Sequence, residues 1–381
     1  MRHIIYLTGN RADYGVFFYP LKEIIQHPDL ELSLIVTAMH LAPEFGFTAQ
    51  AIEYDGFPIA ARIETLLAGD SGGSMSRSIG IGIQGITQAL ENLQPDILIV
   101  LGDRGEMLAG AIAAAHLNII VVHVHGGEVS GTIDESIRHA ITKISHVHFP
   151  STQENAQRII RMGEEPERVH VVGAPGLDYL RLTEPLSRDD IENDLDIDFS
   201  KPVLLMTQHP VTTEVESAAT QMQITLEAIK TIGAQTIVTY PNADSGGRVM
   251  IRVLDEYKSL PFIRIRKSLG QKRYVSILRY ASAMIGNSSS GIIESTFFGL
   301  PVINIGSRQQ GRQRAENVLD VPHRQAAIMK AIRIALNDQD FILRSRNCKN
   351  PYGDGHAGER IARTLANISL DRKNLQKRLT Y

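Results

Sequence analysis

The chain has 381 residues, 43% hydrophobic and 21% charged, a folded composition long enough for two domains of roughly 100–200 residues each. Lys and Arg number 39 against 42 Asp and Glu, a formal charge of −3, which lacks the basic excess of a general nucleic-acid binder. A single cysteine, Cys348, excludes an intramolecular disulfide and a Cys-rich zinc site, and no apolar run approaches the ~18–20 residues of a membrane span.

The first residues, Met1 to Asn10, are apolar only briefly and carry no small-residue cleavage site, so they read as a first β-strand of a cytoplasmic protein. From there short Val/Ile/Leu-rich runs alternate with amphipathic stretches, the pattern of buried parallel strands and covering helices. The first half predicts strands at His3–Thr8, Leu32–Thr37, Asp96–Leu101, Ile119–His125 and His146–Pro150. Helices are predicted between them at Tyr14–Gln26, Met75–Leu93, Glu106–Leu117, Glu135–Ile144 and Gln153–Met162. The second half repeats the alternation, with strands at Pro202–Thr207, Thr236–Tyr240, Phe262–Arg266, Ala283–Ile285 and Pro301–Ile305. Its helices are predicted at Glu216–Thr231, Arg248–Leu260, Tyr274–Tyr280, Ile292–Phe298 and Gln325–Leu336. Two such series imply an α/β protein of two Rossmann-like, doubly wound domains facing a cleft. The expected boundaries are residues 1–172, 173–357 and 358–381. The last segment is a helix from Glu359 to about Leu375 that returns to the first domain.

Ligands of open α/β sheets bind outside the carboxyl ends of the strands, and polar, Gly-rich clusters stand at those ends here. In the first half they contain Arg11 and Asp13, then Asp103, then His123, His125 and Glu128. In the second half they contain His209, then Asn242 and Asp244, then Gly286-Asn-Ser-Ser-Ser-Gly291, then Arg308. Ser288, Ser289 and Ser290 precede a helix, where backbone N–H groups and hydroxyls suit a phosphate, although a plain Ser N-cap reads the same way. With Arg11 and Arg308 they favour a diphosphate. Glu294, one turn on, suits ribose hydroxyls or simply a helix face. The Gly9–Gly15 loop after the first strand lacks the G-x-G-x-x-G spacing, no Walker A sequence occurs, and Gly286-Asn-Ser-Ser-Ser is not a G-x-S-x-G elbow, which argues against dinucleotide, ATP-hydrolysis and serine-hydrolase readings.

The acids of the first half are the candidates for chemistry. Asp103 ends a buried strand, where desolvation raises a carboxyl pKa. Glu128 follows two glycines that let a ligand approach. Asp134 and Glu135 open a helix, where Thr132 and Glu135 also fit a capping box. Glu135 and His139 are spaced to pair. His123 and His125 share a strand face, yet a third metal ligand is not well placed, so His125 reads as a polar site residue.

These clusters, together with Ser136-Ile-Arg-His-Ala-Ile-Thr-Lys143 and Gly306-Ser-Arg-Gln-Gln-Gly-Arg312, resemble the UDP-N-acetylglucosamine 2-epimerase family, in particular its hydrolysing branch of sialic acid biosynthesis. The resemblance runs in order along nearly the whole chain. It implies the glycosyltransferase-B architecture, a UDP-sugar substrate and UDP product, no cofactor, no metal, and a homodimer or homotetramer. It also implies a reaction: UDP leaves C1 as the C2 proton is removed, and water adds to the resulting 2-acetamidoglucal to release N-acetylmannosamine. By the same resemblance, Asp103, Glu128 and Asp134 form the catalytic set, His209 and Glu214 hold phosphate and sugar, Glu294 binds ribose, and Asn242 and Asp244 line the cleft. Relatives carry a glutamate where His125 stands, so a catalytic role there falls to His125 or shifts to Glu128. UDP-N,N′-diacetylbacillosamine is the alternative substrate. A retaining glycosyltransferase, a non-catalytic nucleotide-sugar-binding protein and a non-hydrolysing epimerase are competing readings. The first two have no need of the first-half acids, and the third usually lacks the Gly-Gly-Glu-Val-Ser-Gly-Thr-Ile-Asp run.

Overall fold

A computed structural model describes the chain except residues 44–45, 68–70, 130–132, 212, 243–245, 372–374 and 381. The expected roles of Asp244 and Thr132 therefore lie outside the described residues. The described strands form two six-stranded sheets, all pairings parallel. The first contains β1 (Arg2–Thr8), β2 (Leu30–Thr37), β3 (Ile59–Ile63), β4 (Ile97–Leu101), β5 (Ile120–Val124) and β6 (Val147–Phe149), in the order β3-β2-β1-β4-β5-β6. The second contains β7 (Val203–Thr207), β8 (Gln235–Thr239), β9 (Ile263–Arg266), β10 (Ala283–Gly286), β11 (Val302–Ile305) and β12 (Val318–Val321), in the order β12-β11-β10-β7-β8-β9. Each is the doubly wound Rossmann order, reversing direction between its first and fourth strands.

Side-chain alternation along a strand supplies both faces of each sheet. Ile4 and Tyr6 of β1 join a core with Phe17, Leu21 and Phe149, while Ile5 and Leu7 join another with Ile86, Leu98 and Met107. In the second sheet Leu204 and Met206 pack on one side and Val203 and Leu205 on the other. The two strands without a sequence expectation, β3 and β12, each lie at one edge of a sheet. β3 alternates partly buried with exposed residues and β12 is not fully buried anywhere, so neither shows the continuous apolar run of a central strand.

The chain divides into two compact units, Met1–Arg181 with Tyr352–Tyr381, and Leu182–Pro351. The first exchange falls later than the Gly173 boundary read from the sequence, and the physical reason is Asp178. Its carboxylate accepts the N–H groups of Ala357 (2.9 Å) and Gly358 (2.6 Å), capping the C-terminal helix Ala357–Asn367 within the first unit. That helix buries Ile361, Ala362 and Leu365 against Phe17 and Leu21. It ends at Asn367 and not near Leu375. The following chain is held by Lys377, whose ammonium donates to the Ser145 carbonyl (2.8 Å) and the buried Glu164 carboxylate (2.7 Å). The helix expected over Ile292–Phe298 is instead a single α-turn, Ser290–Ile293, followed by a 3₁₀ turn, Ser295–Phe298. No described helix is long and apolar enough to cross a membrane.

Candidate active site

In both units the reversal of strand order leaves a crevice at the carboxyl ends of two neighbouring strands, β1 and β4 in one, β7 and β10 in the other. In the first unit Asp103 stands just beyond β4. Arg138, nearly buried on the helix Ile133–Ile144, is ion-paired to its carboxylate and also donates to the Glu128 carbonyl at 3.0 Å. Burial pushes the Asp103 carboxyl up; Arg138 pulls it down, while the neighbouring Asp134 and Glu128 add to the rise. Asp134 itself is exposed on the first turn of the same helix.

After β5 the backbone turns through His125, whose φ of 62° is left-handed. The turn continues through Gly127, where a β-carbon would collide with the Asn155 carbonyl. This turn folds Glu128 back onto His125. Nδ1 lies 2.8 Å from Glu128 Oε1, and Ser151 Oγ donates to the same oxygen at 3.3 Å. A carboxylate at Nδ1 makes that nitrogen the donor and leaves Nε2 as the basic atom. Nε2 is buried and has no hydrogen-bond partner among the described residues. His123 is different. Its Nε2 lies 2.7 Å from the Gly102 carbonyl and its Nδ1 3.1 Å from Thr142 Oγ1, and burial pushes its pKa down to about 3. It is a neutral strut between β4 and the Arg138 helix. Glu135 and His139 sit 3.8 Å apart, the pairing that their spacing implied.

Arg11 is exposed at the start of the helix Arg11–Gln26. Asp13, expected as a ligand contact, is held within the loop. Its carboxylate accepts from Thr8 and from the N–H groups of Gly9 (3.0 Å) and Asn10 (2.9 Å), while Asn10 accepts from Ala12 and Asp13 in return. This is a capping box that shapes the loop carrying Arg11. Burial, opposed by those hydrogen bonds, brings the Asp13 pKa up to about 7.

In the second unit the hub is Asn287. Gly286, at φ 128°, brings β10 so close to the Thr207 carbonyl that a β-carbon would not fit. Asn287 then bridges to the end of β7: its Oδ1 accepts from the His209 N–H (2.7 Å) and its Nδ2 donates to the His209 carbonyl (2.8 Å). Its own carbonyl accepts from Arg308 (3.1 Å) and from Gln309 (2.8 Å). His209 Nδ1 accepts the Asn242 N–H at 3.0 Å, which leaves the proton on Nε2 and makes that atom a donor. The N–H groups of Ser288 and Ser289 make no hydrogen bond among the described residues, whereas the Ser290 N–H is turned to Ser288 Oγ at 3.3 Å. Ser290 Oγ donates to the Glu294 carboxylate and accepts from Tyr274 at 2.8 Å. Burial raises the Glu294 pKa against that hydrogen bond. Glu214 accepts from Ser307 (2.6 Å) and Gln221 (2.7 Å), which hold its carboxyl below the usual range.

The structure thus joins Asp103, Glu128 and His125 in one cluster with Asp134 at its edge. It joins His209, Asn242, Ser288, Ser289, Ser290, Glu294 and Arg308 in another, with Glu214 tied to Ser307 beside Arg308. Arg138 and Asn287 were not singled out from the sequence, though each had a signal: Arg138 follows Asp134 by four residues on one helix, and Asn287 opens the Ser loop. Chemically, the first cluster offers a carboxylate of raised basicity and a carboxylate-oriented imidazole. The second offers N–H, hydroxyl and guanidinium donors suited to an anion.

A family model described as UDP-N-acetylglucosamine 2-epimerase matches residues 22–366. The chain is 44% identical, over the whole of both sequences, to a Legionella pneumophila protein named UDP-N,N′-diacetylbacillosamine 2-epimerase (hydrolyzing). It is 33% identical over 88% of each chain to a Neisseria meningitidis UDP-N-acetylglucosamine 2-epimerase. Among solved structures, UDP-GlcNAc 2-epimerase from Neisseria meningitidis bound to UDP-GlcNAc superposes with a TM-score of 0.80, covering 95% of this chain and 99% of that one at 18% identity, a likeness of fold.

Proposed function

Since the chain belongs to the UDP-N-acetylglucosamine 2-epimerase family, we propose that it is a hydrolysing 2-epimerase of a UDP-linked 2-acetamido sugar, releasing UDP and the free C2-inverted sugar. The observation that carries this reading is the cluster of Asp103, Arg138, His125 and Glu128 at the first unit's strand-order reversal. Neither a nucleotide-sugar-binding protein nor a retaining glycosyltransferase needs such a set. Within that reaction, UDP-N,N′-diacetylbacillosamine is the favoured substrate, supported by the 44% full-length identity. UDP-N-acetylglucosamine, the substrate first expected from the motifs, has the support of the 33% identical relative.

His209 Nε2–H, the Ser288 and Ser289 N–H groups and Arg308 receive the diphosphate, Glu294 and Ser290 take the ribose, and Arg11 adds a cation. As the C1–O bond breaks, positive charge grows on the ring, and the acids of the first cluster stabilise it. Asp103, made more basic by burial, accepts the C2 proton, giving the 2-acetamidoglucal. The His125–Glu128 pair then activates water, and Asp134 assists in protonating the other carbon. Two proton-handling groups in different environments divide acid from base work. A cytoplasmic location and assembly as a dimer or tetramer belong to the same reading.

The test is NMR of the protein with each UDP-sugar in deuterated water. Free UDP with the C2-epimer carrying deuterium at C2 supports the hydrolysing route. An equilibrium mixture of two UDP-sugars refutes it, and the faster substrate decides between the two sugars.

A further inference from the structure

A cavity of about 200 Å³ in the first unit has Asp134 in its lining, and its other walls serve none of the steps above. Ala38, Leu66, Leu67, Met75, Ile79 and Ile137 are among its apolar lining residues. Several of its apolar groups are left in water: Leu66 is 41% exposed, Leu67 39%, Met75 67%, and Ile133, also on its wall, 70%. Isolated exposed apolar side chains are ordinary, but a contiguous set around a concavity marks a binding surface. Its position names the ligand. The helix Ile133–Ile144 turns Arg138 to Asp103 and presents Ile133 and Ile137, four residues apart, to the cavity, while Asp134 lines its rim with Arg104.

We propose that this cavity is the subsite for the sugar substituents that distinguish a 2,4-diacetamido-2,4,6-trideoxy hexose from N-acetylglucosamine, namely the C4 acetamido methyl and the C6 methyl. The proposal rests on the reading of the reaction given above. N-acetylglucosamine carries hydroxyl groups at C4 and C6, which an apolar wall leaves without hydrogen-bond partners. The diacetylated sugar carries methyl groups there, which such a wall removes from water. Ser74 and Ser78, also on the lining, stand as polar groups for the amide of the C4 substituent.

Steady-state kinetics of the full chain with both UDP-sugars test the assignment. Leu67→Ser and Met75→Ser change partly exposed side chains outside the cores and outside the catalytic set. Each should lower kcat/KM for UDP-N,N′-diacetylbacillosamine by about 10-fold, mainly through KM, and alter it less than about two-fold for UDP-N-acetylglucosamine. Variants that slow both sugars equally, or neither, overturn the cavity assignment and leave the hydrolysing reaction standing. A wild-type chain that releases UDP from UDP-N-acetylglucosamine but leaves the diacetylated sugar intact overturns the substrate preference, and the cavity assignment with it. Release of UDP from neither sugar overturns the reading of the reaction itself.

Discussion

The two units share one strand order, yet two histidines at their strand ends are held in opposite tautomers. His125 in the first unit gives its Nδ1 proton to Glu128 and keeps Nε2 basic, whereas His209 in the second accepts the Asn242 N–H at Nδ1 and keeps Nε2 protonated. The acids follow the same division. Asp103 is ion-paired to Arg138, while in the second unit Arg308 donates to the Asn287 carbonyl and Glu294 accepts from Ser290, so the charged groups there meet neutral partners. Under the proposed reading the same scaffold serves proton transfer in one unit and anion retention in the other, because the loops, not the sheet, supply the side chains.

The largest effect that could break this division lies in the first unit. Asp103→Asn, Glu128→Gln and Asp134→Asn should each lower turnover by ~10² or more while UDP binding persists, measured by UDP release and by calorimetry. Full turnover from all three would remove the acids from the chemistry. The reciprocal test lies in the second unit. Arg308→Ala should weaken UDP about 10-fold with the thermal transition unchanged, and unaltered affinity would take the diphosphate away from this guanidinium.

Smaller effects sharpen the contrast by testing what holds the first unit in shape. Burial alone would raise the Glu164 pKa, but hydrogen bonds from His148, Lys143 and Lys377 bring it down to about 2. A carboxyl depressed on folding contributes stability above its unfolded pKa, about 4.5, and loses that contribution as pH falls towards 2. Lys377→Met should cost about 2 kcal/mol at pH 7 in chemical denaturation. The difference from wild type should shrink as pH falls through that window. A constant difference across it would mean that Lys377 stabilises by packing. Asp13→Ala should cost about 1 kcal/mol through its lost helix cap. If UDP affinity fell instead while stability held, Asp13 would belong to the ligand site after all.

Much of this was legible along the chain, and what was not has identifiable causes. The central strands β1, β2, β4, β5, β7, β8, β10 and β11 are buried on both faces and so read as continuous apolar runs. The edges β3 and β12 are covered less completely, and their weaker pattern hid them. Asp13 was legible as a polar residue after β1, and its role follows from Asn10, the N-cap three residues earlier. Arg138 is a different kind of miss. Its partner Asp103 lies 35 residues away and on another element, and no local pattern pairs them.

The order of residues alone determined the two α/β series, the polar strand ends and the types of group available there, because burial periodicity and turn chemistry act over a few neighbouring residues. Only the folded chain decided that Arg138 pairs with Asp103 and which nitrogen of His125 and of His209 carries the proton. Those outcomes depend on distance and desolvation between separate strands and helices, quantities that come into being only when the sheets assemble.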